Sequence, residues 1–300
     1  MKITLLGTSC MVPTKERNVS STYVAYDGEG ILFDCGEGTQ RQMNIAGIKR
    51  SSVKKICITH WHADHIAGIL GLLQTISQKE QEVTLKIFGP VETKKRMKHL
   101  LETSISYQYI TLEIIELAPT KKETLCYENA DYALSYISLD HTTPCVGYKL
   151  RQKDKRRIKV EALQQYNIKP GPILSQIQQG KSVTIQQKRI HPDDVSYIVP
   201  GKSIVYGLDT AYCTELIELA TNADILITEA TYTQKHEENA RLYKHMTSQQ
   251  AAQIAQLANV QRLYLVHLSQ RYKTTQELLD EAQTIFPKTE IGYDFLTIKV

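Results

Sequence analysis

A chain of 300 residues with 42% hydrophobic and 23% charged side chains has the composition of a soluble globular enzyme with a large core, not of a disordered or coiled-coil protein. The formal charge is only +4, and six cysteines without CxxC or framework spacing indicate neither a thiolate zinc site nor a disulfide scaffold. No apolar run reaches the roughly 20 residues of a membrane span, and the first seven residues lack the length and cleavage site of a signal peptide, so a cytoplasmic location is expected.

In chain order, residues 3–6 and 21–26 alternate as strands, and Asp27-Gly28-Glu29-Gly30 turns the chain into a third at 31–33. Residues 55–59 form a short strand that enters a histidine-rich turn, followed by a buried helix over 66–73. A strand at 85–90 closes on Gly89-Pro90 before an amphipathic helix over 91–101. Residues 111–117 and 130–139 resume strand character, as do 203–206, 225–228 and 263–266. Thr247 with Gln250 and Thr274 with Glu277 each have the spacing of a capping box, predicting helices over 248–258 and 275–285. Each half therefore reads as strands followed by strand-helix units, which predicts two sheets sandwiched between helices.

The mild total charge hides an asymmetry. Between Lys149 and Arg189 lie eleven Lys and Arg against Asp154 and Glu161, a net +9, so the remainder of the chain carries −5. We expect one main domain over 1–300 with a basic segment inserted at 149–196, interrupted by the stiff Lys169-Pro170-Gly171-Pro172 turn. Such a segment grips phosphates without reading bases, although in an arbitrary protein a charge run is more often a solvated face.

The densest chemistry is Thr59-His60-Trp61-His62-Ala63-Asp64-His65. His60 and His62 share one side of an extended segment, and Asp64 and His65 sit where the chain turns into a helix. A lone histidine more often caps a helix, but four ligand-type side chains in six positions suit zinc or a similar ion. Four ligands on one ion make a closed structural site, whereas catalysis needs an open position. His141, Asp209 and His267 each follow the end of a strand, the place a shared active-site rim requires, so the ligands divide between two ions. His99, His191 and His236 lack that context and read as surface residues.

The HxHxDH pattern at 60–65 resembles the signature of metallo-β-lactamase-fold hydrolases, a four-layer αββα sandwich. Six further segments resemble ribonuclease Z, the tRNA 3′-processing endonuclease family. They are Pro13-Thr14-Lys15-Glu16-Arg17-Asn18, the stretch from Phe33 to Gln40, the stretch from Asp140 to Tyr148, Glu229-Ala230-Thr231, His245-Met246-Thr247 and the stretch from His267 to Tyr272. The resemblance implies that His60, His62 and His141 hold one zinc, that Asp64, His65 and His267 hold the other, and that Asp209 bridges them, with manganese as the alternative metal. Two ions about 3.5–4 Å apart make hydroxide available near neutral pH and bind both oxygens of a cleaved phosphodiester. Asp64 would orient the nucleophile and accept its proton, His245 would protonate the departing 3′ oxygen, and Glu229 would orient His245.

The same resemblance makes 149–196 a flexible arm that binds precursor tRNA through Lys169, Gly171 and Pro172, makes the protein a homodimer, and places Lys15, Arg17, Asn18 and Arg271 near the cleaved end. Two departures stand out: Leu208 precedes Asp209 where the family usually has glycine, and Met246 occupies a position where serine is common. The competing readings are a hydrolase of the same fold acting on a small phosphodiester or thioester, and a non-catalytic RNA-binding relative.

Overall fold

A computed structural model describes residues 1–77, 82–104, 110–185 and 187–300. Its strands are, in order, β1 (Lys2–Gly7), β2 (Ser21–Tyr26), β3 (Glu29–Phe33), β4 (Val53–Cys57), β5 (Val83–Pro90), β6 (Ile110–Leu117), β7 (Thr124–Glu128), β8 (Tyr132–Leu139), β9 (Cys145–Gln152), β10 (Lys155–Ile158), β11 (Val183–Ile185), β12 (Lys188–Ile190), β13 (Ser196–Val199), β14 (Ser203–Gly207), β15 (Ile225–Glu229), β16 (Arg262–Val266), β17 (Thr289–Ile291) and β18 (Thr297–Lys299). They form two seven-stranded sheets, ordered β18-β1-β2-β3-β4-β5-β6 and β17-β16-β15-β14-β9-β8-β7. The run β3 to β6 is parallel, as is the run β14 to β17.

Apolar side chains of both sheets fill the space between them. Phe33 of the first sheet lies 5.4 Å from the Tyr206 ring and 5.9 Å from the Tyr148 ring of the second. Burying Phe33 fully contributes about 2–3 kcal/mol relative to leaving it exposed. On the outer face of the first sheet, Met43, Leu72, Leu73 and Met97 come from helices Thr39–Ile45, Ile69–Ile76 and Thr93–Glu102. On the outer face of the second, Leu216, Leu219, Ala251, Ile254, Leu278 and Ala282 come from helices Thr214–Ala220, Ser248–Leu257 and Gln276–Gln283. The order helix, sheet, sheet, helix is the expected four-layer sandwich.

Four local expectations need correction. The single helix over 66–73 is two, Ala63–Ile66 and Ile69–Ile76. The chain breaks at Gly68, whose amide donates to the Cys35 carbonyl at 2.9 Å and where an added Cβ would lie 2.1 Å from the Gly36 oxygen. The second capping box does not form: helix Gln276–Gln283 starts after Thr275 without a side-chain cap, whereas Thr247 and Gln250 cap each other reciprocally. Strands β7, β9, β10 to β13, β17 and β18 have no counterpart among the sequence expectations.

The fourth correction concerns the insertion. Lys149 and Arg151 lie in β9, in register with Val205 and Ser203 of β14, so they are the outward positions of a body strand whose Tyr148 and Leu150 are buried. The separately packed unit starts instead where β10 pairs β13, with Lys155 opposite Val199, and spans 155–199 rather than 149–196. It still carries eight Lys and Arg against Glu161, Asp193 and Asp194. Ala162, Ile168, Ile177, Val183, Ile190 and Val195 give it a small core of its own, separate from the sandwich. No helix among the described residues is long and apolar enough to cross a membrane, and all six cysteines are free.

Candidate active site

The carboxyl ends of strands from both sheets meet at one edge of the sandwich, the usual location of sites in α/β folds. Asp34 follows β3, His60 to His65 follow β4, His141 follows β8, Asp209 follows β14, Glu229 ends β15 and His267 follows β16. Two of these residues, Asp34 and His267, have φ of 57° and 55°, left-handed conformations uncommon for non-glycine residues.

The seven candidate ligands converge. His62 Nδ1 lies 3.0 Å from His60 Nε2 and 3.3 Å from His141 Nε2, and His60 Nε2 lies 3.7 Å from Asp209 Oδ2. His65 Nε2 is 3.5 Å from Asp64 Oδ2 and 3.6 Å from Asp209 Oδ2. His267 Nε2 is 3.5 Å from Asp64 Oδ2 and 3.3 Å from Asp209 Oδ1. Tetrahedral coordination with bonds of roughly 2.0–2.2 Å separates ligand atoms by roughly 3.3 Å, close to the observed spacings. His65 Nε2, His267 Nε2 and Asp209 Oδ1 are buried without a hydrogen-bond partner, a costly arrangement for a polar atom unless a cation satisfies it. The donor set thus fits metal ions, in overlapping groups: His60 with His62, His141 and Asp209, Asp64 with His65 and His267, and a third in which His245 joins Asp209 and His267.

The electrostatics sort the histidines into two kinds. Burial, reinforced by neighbouring histidines, holds the His60 imidazole well below its ordinary pKa, and burial lowers His62 and His141 as well, leaving them neutral as ligation requires. Burial opposes charge on His65 also, but Asp209 and Asp34 prevail and push it up to about 10. Asp209 is held well below the usual carboxylate range: burial disfavours its charge, yet His267 and His65 outweigh it. A pocket with these carboxylates attracts positive charge to its centre.

Each candidate ligand imidazole but one has its remote nitrogen tied. His65 Nδ1 donates to Asp34 Oδ2 at 2.7 Å, His60 Nδ1 to Thr59 Oγ1 at 3.0 Å, His141 Nδ1 to the Lys244 carbonyl at 3.1 Å and His267 Nδ1 to Thr231 Oγ1 at 3.1 Å. These bonds turn Nε2 of each ring toward the cluster. His62 is the exception and presents Nδ1. Sequence reasoning assigned no role to Asp34, Thr59 or Thr231; Asp34 sits in the same post-strand place as the ligands, and that placement was the available signal.

Glu229, fully buried, accepts hydrogen bonds from Thr210 N at 2.7 Å, Thr231 Oγ1 at 2.7 Å, Met246 N at 3.1 Å and His245 Nδ1 at 3.0 Å. Burial would lower the His245 pKa, but Glu229 raises it to about 9. The His245 ring lies 5.3 Å from His141 and 5.5 Å from His267, at the edge of the cluster.

The two departures are accommodated. Leu208 is buried in the inter-sheet core, and the close approach falls at Gly207, where a Cβ would lie 2.5 Å from Leu216. Met246 packs into the outer core and serves the site through its backbone amide.

The candidate substrate residues are dispersed. Lys15 is exposed beside a cavity of about 690 Å³. Arg17 is half-buried and donates to Thr8 Oγ1 and the Gly292 carbonyl at 2.7 and 2.6 Å, and Asn18 Nδ2 donates to the Glu37 carbonyl at 2.8 Å, so both brace their loop. Arg271 stacks over the Tyr232 ring at 4.7 Å. Lys169, Gly171 and Pro172 are exposed in the unit at 155–199 and take no part in the cluster.

A four-layer sandwich with this divided His/Asp cluster at its edge defines a metallo-β-lactamase-fold hydrolase. A β-lactamase superfamily domain model matches residues 156–268, and a model described as anti-Pycsar protein Apyc1 matches residues 1–158. Ribonuclease Z of Prochlorococcus marinus is 38% identical over 312 residues, covering 100% of both chains. Ribonuclease Z of Methanothermobacter thermautotrophicus is 37% identical over 302 residues, covering 100% of this chain and 97% of its own. The crystal structure of human tRNase Z, short form, superposes with a TM-score of 0.74 at 26% identity, covering 100% of this chain and 99% of that one. The chain belongs to the ribonuclease Z family of hydrolytic endoribonucleases.

Proposed function

We propose that this protein removes the 3′ trailer from precursor tRNA in the cytoplasm by hydrolysing one phosphodiester, leaving a 3′-hydroxyl on the tRNA. The carrying observation is the convergence of seven candidate ligand side chains on one edge beside a histidine paired with a buried glutamate, in a chain similar to ribonuclease Z over its whole length. His60, His62 and His141 would hold one zinc, Asp64, His65 and His267 a second, and Asp209 both, with manganese able to substitute. Such ions supply Lewis acidity toward the phosphate and hydroxide near neutral pH.

The side chains account for the remaining steps. Asp64, fixed by the Met11 amide at 2.9 Å, orients the attacking water and takes its proton. The water oxygen bonds to phosphorus as the bond to the 3′ oxygen breaks. His245 gives its proton to that departing oxygen, and Glu229 keeps the ring aimed and charged until then. The unit at 155–199 grips tRNA phosphates through Lys169 and its neighbours, with Gly171 and Pro172 shaping its turn. Lys15 and Arg271 meet the acceptor end, Arg17 and Asn18 shape the loop that presents Lys15, and the working form is a homodimer.

A small-diester hydrolase would have no use for the basic unit, and a non-catalytic relative none for the intact ligand set. The test is incubation of the purified protein with a 3′-extended tRNA transcript, with and without a chelator. A chelator-sensitive cut at the acceptor end is expected; an uncut transcript with metals loaded sinks the reading.

A further inference from the structure

Beside His245, and outside the metal cluster, lies a cavity of about 450 Å³ lined by Tyr212, Glu237, Glu238, Arg241 and Gln250. Its charges balance, the Glu237 and Glu238 carboxylates against the Arg241 guanidinium and the His245 imidazole beside it, so no net field draws in an anion while a neutral ring or hydroxyl finds both donors and acceptors. Glu237 is already engaged by Gln234 Nε2 at 2.8 Å and Gln250 Nε2 at 3.4 Å, whereas Glu238 and Arg241 are exposed. The Tyr212 ring, 38% exposed, stands three residues beyond Asp209 and offers a face for stacking.

We propose that this cavity binds the nucleoside whose 3′ oxygen departs, with its base stacked on Tyr212 and its polar edge met by Arg241 and Glu238. The inference rests on the endonuclease reading above. His245 touches the leaving oxygen, that oxygen belongs to the ribose of the last retained nucleotide, and the cavity opens from His245 itself, so that nucleoside is the one within reach. Stacking on an aromatic face tolerates every base, which suits an enzyme that accepts many tRNAs.

The experiment pairs substitutions in the protein with changes in the substrate. Tyr212→Ala is expected to lower kcat/KM roughly 5- to 150-fold on an ordinary 3′-extended transcript, with Tyr212→Phe restoring it. On a transcript made abasic at the last retained position, the wild type loses a similar factor and Tyr212→Ala adds nothing further. In parallel, product tRNA with 2-aminopurine as its 3′-terminal base is quenched on binding the metal-loaded wild type and Tyr212→Phe, but not Tyr212→Ala. Independent, multiplying losses from the two changes, or equal quenching by all three proteins, overturn the assignment. Failure of the wild type to cut any transcript overturns the endonuclease reading instead.

Discussion

The carboxylate of Glu229 and the Nδ1 of His245 meet at 3.0 Å, in a place where Glu229 also receives two backbone amides and the Thr231 hydroxyl. Four donors converging on one carboxylate leave no room for an amide in its place. Glu229→Gln directs an NH2 group at a donor and removes the charge that keeps His245 protonated. A raised pKa preserves the protonated donor up to about pH 9 and loses it as pH rises through that value. The alkaline limb of kcat is therefore expected near pH 9 in the wild type and nearer neutrality in Glu229→Gln; identical pH profiles would contradict the pairing.

His245→Ala is expected to lower kcat by about 10²- to 10⁴-fold, the usual contribution of a positioned general acid, while metal content stays unchanged. Asp64→Ala is expected to abolish cleavage and also to lose metal, because Asp64 Oδ2 faces both His65 and His267. Elemental analysis of both proteins separates the roles, and an equal metal loss would defeat the distinction.

Asp34 acts one step back. It accepts from His65 Nδ1, Thr59 N and Tyr206 Oη at 2.7, 2.8 and 3.2 Å, so it fixes His65 directly and His60 through Thr59. Asp34→Asn is expected to weaken metal binding by roughly 10- to 100-fold, as loss of such support does elsewhere. Competition with a chromogenic chelator measures this, and wild-type affinity would refute the role.

Metal loading also bears on stability, because His65 Nε2, His267 Nε2 and Asp209 Oδ1 are otherwise left buried and unpartnered. An ion present at about 1,000 times its Kd adds roughly 4 kcal/mol to the folded state, which raises Tm by on the order of 6 °C for a chain of this length. A thermal melt before and after chelation, with zinc returned at the end, tests this; an unmoved Tm would argue against occupancy of the cluster.

Replacing residues 155–199 by a short glycine linker is expected to leave the sandwich folded, since Lys155 and Val199 are cross-strand neighbours and the unit has its own core. Turnover of a small phosphodiester stays near the wild-type value, while KM for precursor tRNA rises and its salt dependence flattens. Undiminished tRNA cleavage at physiological salt would remove the unit's assigned role.

Much of this was legible in residues alone, for physical reasons. Strand alternation and the recurrence of His or Asp just after buried strands point to one rim before any coordinates, since parallel strands bring their carboxyl ends together. What escaped depends on contacts distant in sequence. Asp34 reaches His65 across 31 residues, and Gly68 breaks a helix only because Gly36 packs on it. The basic segment was drawn too early because charge counting cannot tell the outer face of β9 from a protrusion, whereas the burial of Tyr148 and Leu150 can.

The division of the ligands between the two sheets has an effect during synthesis. His60, His62, Asp64 and His65 leave the ribosome long before His267, and β18 must still emerge to pair with β1 at the edge of the first sheet. Domains fold as units while the chain is made, so the set of candidate ligands stays incomplete until His267 has been added. A chain cut short before His267 would therefore carry the first four candidate ligands and lack the site they serve.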